Sequence, residues 1–179
     1  NTLDMDLYLR VAPELFLKRL VVGGFDRVFE IGRNFRNEGI DKNHNPEFTS
    51  LEAYQAYADY NDMADLFADM IPYVAEKVLG TKVIKCGEED VDLSKGFARK
   101  SIIDLCKEYA GIDLLAAQTV DEAKAMAKSV GVDADDCSCW GKVVQAVFDE
   151  KVEAHLIQPT LVMDMPRDIS PLAKTHRSN

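Results

Sequence analysis

The chain has 179 residues, 47% hydrophobic and 29% charged, with 31 Asp and Glu against 21 Lys and Arg. That composition fits one globular domain of ordinary size and excludes a disordered or fibrous chain, while no window approaches the ~20 apolar residues of a membrane-spanning helix. A net charge of −10 also argues against a broad, non-specific grip on nucleic acid, which needs a basic face to neutralise phosphates.

Pro13 at a first-turn position and Glu14 beside it open a helix over 12–22, with Leu15, Phe16, Leu20 and Val21 as its apolar stripe and Gly23-Gly24 as its stop. Arg27 to Phe35 alternates as a strand. Val28, Glu30, Gly32 and Asn34 face one way, and Phe29, Ile31, Arg33 and Phe35 the other. A polar loop from Asn37 to Pro46 leads into a second strand from Glu47 to about Asp59, so the pair reads as an antiparallel hairpin with a long loop. Asn61 or Asp62 then caps a helix whose core-facing stripe is Met63, Leu66, Phe67, Met70, Ile71, Val74 and Val78. Pro72 lacks an amide hydrogen and should kink or end that helix nearby, and Gly80 closes it.

The texture changes from Thr81 to about Asp136. A small hairpin is expected across Gly87, then helices near Ser101–Tyr109 and Val120–Val130, the whole reading as a surface insertion with its own small core. Trp140 to about His155 returns to helix with Val143, Val144, Val147, Phe148 and Val152 on one face, and Pro159 to Met163 reads as a strand. Cys86, Cys106, Cys137 and Cys139 form no framework, since Cys137 and Cys139 lie too close for a CxxC site. They read as reduced thiols of a cytoplasmic protein. Asn1-Thr2-Leu3-Asp4 is no signal peptide, and without an initiator Met the chain reads as starting in mid-sequence.

The chemistry concentrates in Arg33-Asn34-Phe35-Arg36-Asn37-Glu38-Gly39-Ile40, His44-Asn45-Pro46-Glu47-Phe48-Thr49 and Glu52-Ala53-Tyr54. Period-two alternation puts Phe48, Ser50, Glu52 and Tyr54 on one face, a carboxylate between aromatics. Arg36 and Glu38 stand at the strand end, where the Arg36 fork suits a carboxylate or phosphate, and His44 and Asn45 add polar groups from the loop. Such a site holds an anion at one end, an aromatic base in the middle and an ammonium at the other. The competing reading, an exposed Arg36–Glu38 ion pair beside an ordinary solvated strand face, stays open on spacing alone.

Phe-Arg-Asn-Glu-Gly at 35–39 with His-Asn-Pro-Glu-Phe-Thr at 44–49 resembles motif 2 of the class II aminoacyl-tRNA synthetases. The stretches Leu9 to Leu15, Val22 to Phe25, Tyr54 to Tyr60 and His155 to Lys174 resemble the lysyl branch, so the likeness covers nearly the whole chain. It implies an α+β fold, an antiparallel sheet flanked by helices with a helical insertion, present here as a partial domain. Residues 1–80 would form the motif 2 part of the catalytic core, 81–139 the insertion, and 140–179 the return helix and strand.

The function implied is ATP-dependent activation of lysine and its transfer to tRNA(Lys) by a homodimeric cytoplasmic parent. Arg36 would contact the ATP α-phosphate and the lysine carboxylate; Glu38, His44 and Asn45 would contact ATP; adenine would stack on Phe48. Glu14 would hold the α-ammonium of lysine, and Glu52 with Tyr54 its ε-ammonium. Glu14 equally suits a helix N-terminus without any ligand, and His44 equally suits a role in holding the loop. Motifs 1 and 3, the Mg²⁺ ligands and the anticodon-reading domain are expected outside this stretch, so the fragment alone is expected not to complete adenylation. Two alternatives are a ligase of the type that lysylates elongation factor P and a non-catalytic interaction module.

Overall fold

The computed structural model describes residues 2, 4–37, 39–42 and 44–175. By its internal contacts the chain forms two units, Asn1–Met63 and Ala64–Asn179.

In the first unit the Pro13 carbonyl accepts the amides of Phe16 and Leu17 at 3.0 and 3.1 Å, and α1 follows over Glu14–Val22. Gly23 ends it, its amide donating to the Arg19 carbonyl at 2.8 Å. The expected stripe is corrected here. Leu15, Phe16 and Leu20 are exposed, Val21 is half-buried, and the buried residue is Leu17. Leu17 and Val21, four residues apart, are the covered positions, flanked on the same face by the exposed pair Glu14 and Lys18.

β1 (Arg27–Phe35) and β2 (Glu47–Gln55) pair antiparallel, from Arg27 opposite Gln55 to Phe35 opposite Glu47, as the hairpin reading expected. β2 stops at Gln55, short of Asp59, because Tyr57 turns the backbone into the left-handed region at φ 57°. The next helix, α2 (Tyr60–Leu79), starts earlier than expected. Asp59 is the cap: its carboxylate accepts the Asn61 amide at 2.8 Å, and Asp62 accepts the Asp59 amide at 2.7 Å in return.

In the second unit α2 runs through Pro72 to Leu79 without ending, the loss of one amide being borne within a long helix. Ala75 is its buried residue. Leu66, Phe67, Val74 and Val78 are exposed, which corrects the expected core stripe. β3 (Val83–Cys86) and β4 (Glu89–Asp92) form the expected hairpin across Gly87, and the Gln158 amide serves the same segment, donating to the Asp90 carbonyl at 2.9 Å and accepting the Asp92 amide at 3.0 Å. β5 (Ala98–Ser101) was not expected, and it pairs parallel with β6 (Thr160–Met163).

α3 (Ile102–Ala110) is capped by the Ser101 hydroxyl, α4 (Val120–Ser129) by a reciprocal Thr119–Glu122 capping box, and α5 spans Trp140–Lys151. Ile102, Leu105, Leu114, Ala123, Ala127 and Val132 pack in one buried cluster with Val143, Val144, Val147 and Val152 of the return segment. The helices between 101 and 130 therefore share their core with α5, where a private core was expected. The Trp140 indole donates to the Leu114 carbonyl at 3.0 Å and ties the two stretches together. The four cysteines are free thiols, Cys86 exposed and Cys106 buried. No helix among the described residues is long and apolar enough to cross a membrane.

Candidate functional site

The β1–β2 hairpin buries the wrong face for a simple core. Alternation sends Val28, Glu30, Gly32 and Asn34, with Phe48, Ser50, Glu52 and Tyr54, to the side that is buried or half-buried. On the other side Phe29 is 70% and Ile31 61% exposed. The covered face thus combines two carboxylates, Glu30 and Glu52, with Val28, Phe48 and Tyr54, an arrangement that needs partners for the charges.

Glu30 and Glu52 stand directly opposite each other in the ladder. Opposed like charges repel at this spacing, and the two carboxylates are treated differently. Glu30 is ion-paired with Arg10, whose Nε also donates to the Arg33 carbonyl at 2.9 Å, so the side chain lies along β1. Gly32 makes room for it, because a Cβ there would stand 2.2 Å from Arg10 Nη2. Glu52 has no cationic partner among the described residues. Its Oε2 accepts the Tyr54 hydroxyl at 3.0 Å. Burial, then the bond to Glu52, then the charges of Glu52 and Glu14 push the Tyr54 phenol up to about 12, which keeps it protonated and donating.

From α1, Glu14 pairs with Lys18 one turn later, and the Lys18 Nζ lies 5.8 Å from the Tyr54 ring centroid. Glu14, Lys18, Tyr54, Glu52, Glu30 and Arg10 thus form one charged cluster within the first unit. Further along the same face, Asn34 is fully buried opposite Phe48 and donates its Nδ2 to the Ser50 hydroxyl at 2.6 Å. Arg36 leaves the strand end with its guanidinium 5.2 Å from the Phe48 ring centroid and its Nε donating to the Val11 carbonyl at 3.3 Å. Its backbone amide donates to the Pro46 carbonyl at 2.9 Å, which closes the base of the loop.

The structure brings Arg36 to Phe48, Tyr54 to Glu52, and Glu14 by charge to Tyr54. His44 is turned to its own loop instead, with Nδ1 2.8 Å from Asp41 Oδ2 and its amide donating to Asp41 Oδ1 at 2.8 Å. Asn45 is exposed, and Glu38 lies outside the described residues. The partners that sequence reasoning missed are Arg10, Gly32 and Lys18. The strand register carries the first two, since it sets Glu30 against Glu52 and demands a cation, and the Glu14–Lys18 spacing carries the third.

The whole chain, residues 1–179, matches the family described as tRNA synthetases class II (D, K and N). It is 57% identical over 179 residues to a lysine--tRNA ligase of Trichormus variabilis, covering 99% of this chain and 32% of that protein. It is 51% identical over 179 residues to a lysine--tRNA ligase of Carboxydothermus hydrogenoformans, covering 100% of this chain and 37% of that one. With the heat-inducible lysine--tRNA ligase of Escherichia coli K12 the identity is 48% over 180 residues, covering 100% of this chain and 36% of that one. The chain spans about a third of the length of the curated relatives it matches.

Proposed function

The chain belongs to the class II tRNA synthetases of the D, K and N group, and from that premise we propose that the protein carrying it activates lysine with ATP and transfers it to tRNA(Lys). The observation that supports the lysyl choice is Glu52: a half-covered carboxylate with no cationic partner among the described residues, held by a protonated Tyr54. A ligand with an ammonium at the end of a flexible chain satisfies that charge, and a neutral analogue leaves it unpaired. Relatives at 48–57% identity that bear the name lysine--tRNA ligase support the same choice.

In the activation step a carboxylate oxygen of lysine attacks the α-phosphorus of ATP, forming a P–O bond as the bond to pyrophosphate breaks. Arg36 is the fixed cation for the charge that builds there, and it also binds the attacking carboxylate. Phe48 offers a ring face to adenine, beside the Arg36 guanidinium that rests 5.2 Å from its centroid. His44, Asn45 and Glu38 are assigned to ATP, the His44 ring lying against Asp41 of its own loop. Glu14 receives the α-ammonium of lysine, and Glu52 with Tyr54 the ε-ammonium.

The family works with Mg²⁺ beside ATP. Among the described residues no three His, Cys, Asp or Glu side chains gather to hold a metal ion. Within the catalytic domain we assign 1–80 to the motif 2 part, 81–139 to an insertion and 140–179 to the returning helix and strand, in a cytoplasmic homodimer.

The test is lysine-stimulated exchange between ATP and pyrophosphate in the full-length protein. Exchange with lysine that falls by about 100-fold or more in Arg36→Ala supports the reading. Exchange stimulated by aspartate or asparagine instead overturns it.

A further inference from the structure

Lys18 places a primary ammonium of the chain itself at Glu14, with its Nζ 5.8 Å from the ring centroid of Tyr54. Tyr54 in turn holds Glu52. The other cation of this cluster, Arg10, is committed to Glu30. Lys18 therefore stands where the reading above seats the α-ammonium of lysine. Two ammonium ions at contact distance from one carboxylate repel each other, so an arriving α-ammonium competes with Lys18 for Glu14.

Leaving is easy for this side chain. Lys18 and Glu14 are both about half exposed, at 54% and 49%, and a four-carbon stem can swing its head group into water while remaining on the helix surface. The pair also keeps Glu14 neutralised while the site is empty, which limits repulsion among Glu14, Glu30 and Glu52. We propose that Lys18 is a resident counter-ion of Glu14 that the α-ammonium of the amino acid displaces, so that Lys18 sets affinity and selectivity at this site. The inference rests on the assignment of Glu14 made above. The cost of displacing Lys18 falls only on ligands that carry an α-ammonium; a ligand lacking it leaves the Glu14–Lys18 pair intact and gains nothing from Glu14.

The experiment is calorimetric titration of the full-length protein with L-lysine and with 6-aminohexanoic acid, which keeps the terminal ammonium and the carboxylate but lacks the α-ammonium. Lys18→Met is expected to tighten lysine binding by about two- to fivefold, the range an exposed ion pair supplies. Its affinity for 6-aminohexanoic acid stays at the wild-type value. Lys18→Arg, which retains the cation, stays near wild type for both ligands. Lysine binding that is unchanged or weaker in Lys18→Met, or an equal shift for both ligands, overturns the inference while leaving the lysyl function standing. A wild-type protein that binds no lysine overturns both.

Discussion

Glu30 and Glu52 face each other across the β1–β2 ladder, yet among the described residues only Glu30 has a cation, the Arg10 guanidinium laid over Gly32. The asymmetry makes Glu52 costly to the empty protein and useful to an ammonium-bearing ligand. Glu52→Gln removes the opposed charge and is expected to leave stability unchanged or raise it by up to about 1 kcal/mol. The same substitution should abolish detectable lysine binding. A thermal melt read beside a calorimetric titration checks both, and a variant that melts earlier yet still binds lysine contradicts the account.

Gly32→Ala probes the other half of that relationship. The new Cβ would meet the tip of a flexible arginine, so the backbone need not move, and Arg10 is displaced instead. The loss is mainly that of a part-exposed ion pair, under about 1 kcal/mol. Function suffers more, because Glu30 then stands bare beside Glu52 and competes for the ligand ammonium. The expected result is a small drop in melting temperature with a rise in KM for lysine. Arg10→Met should reproduce both.

Tyr54 supplies a pH signature. Its phenol is pushed up from 10.0 to about 12, by burial first and then by the bond and charge of Glu52. A group with a raised folded pKa contributes stability that is fully present below its unfolded value and disappears as pH rises through the folded one. The Tyr54 share is therefore lost between about pH 10 and 12. In ultraviolet titration of the folded protein one tyrosine should ionise later than the rest. Glu52→Gln should bring that late transition down.

The hairpin was legible because β1 and β2 alternate cleanly and the loop between them is rich in Asn, Gly and Pro. The positions of α3 and α4 were legible too, starting at Ile102 and Val120 where helices were expected near Ser101 and Val120. β5 was not legible: Ala-Arg-Lys-Ser has no apolar alternation, and it becomes a strand only because β6 lies beside it. The face of α1 was misjudged for a related reason, since its covered positions, Leu17 and Val21, are flanked by the exposed charges Glu14 and Lys18. Aromatic and carboxylate members of the site could be picked out in the sequence, whereas Arg10 and Gly32 needed the register of two strands. Local patterns report local order, and a charge cluster assembled from three elements is not local.

Cysteine reactivity separates the two kinds of thiol in the second unit. Cys106 is fully buried in the cluster of α3 and α5, and burial pushes its thiol up to about 11. It should resist alkylation at neutral pH while exposed Cys86 reacts quickly. Mass spectrometry after brief treatment with iodoacetamide checks the order. Early modification of Cys106 would mean that this core opens far more readily than its packing implies.

Gly141 lies in the first turn of α5, and its amide donates to the Asp168 carboxylate at 3.3 Å. A Cβ at this position would stand 3.0 Å from Pro166 Cβ, 3.1 Å from Asp168 Cβ and 3.3 Å from Ile169 Cγ2. Two of those atoms sit one bond from backbone and cannot rotate away, unlike the arginine tip above Gly32. Alanine normally favours a helix over glycine by about 1 kcal/mol, so propensity alone predicts that Gly141→Ala stabilises the protein. Close packing predicts the reverse, since forcing a methyl group into a filled contact costs about 1–3 kcal/mol. The contact distances favour the second effect, and the expected outcome is net destabilisation measured as a lower denaturation midpoint in urea. Pairing Gly141→Ala with Asp168→Gly, which removes the Asp168 Cβ, then distinguishes the causes. If removing that Cβ leaves the penalty unchanged, Pro166 and Ile169 carry the clash; if it relieves the penalty, Asp168 is what holds residue 141 to glycine.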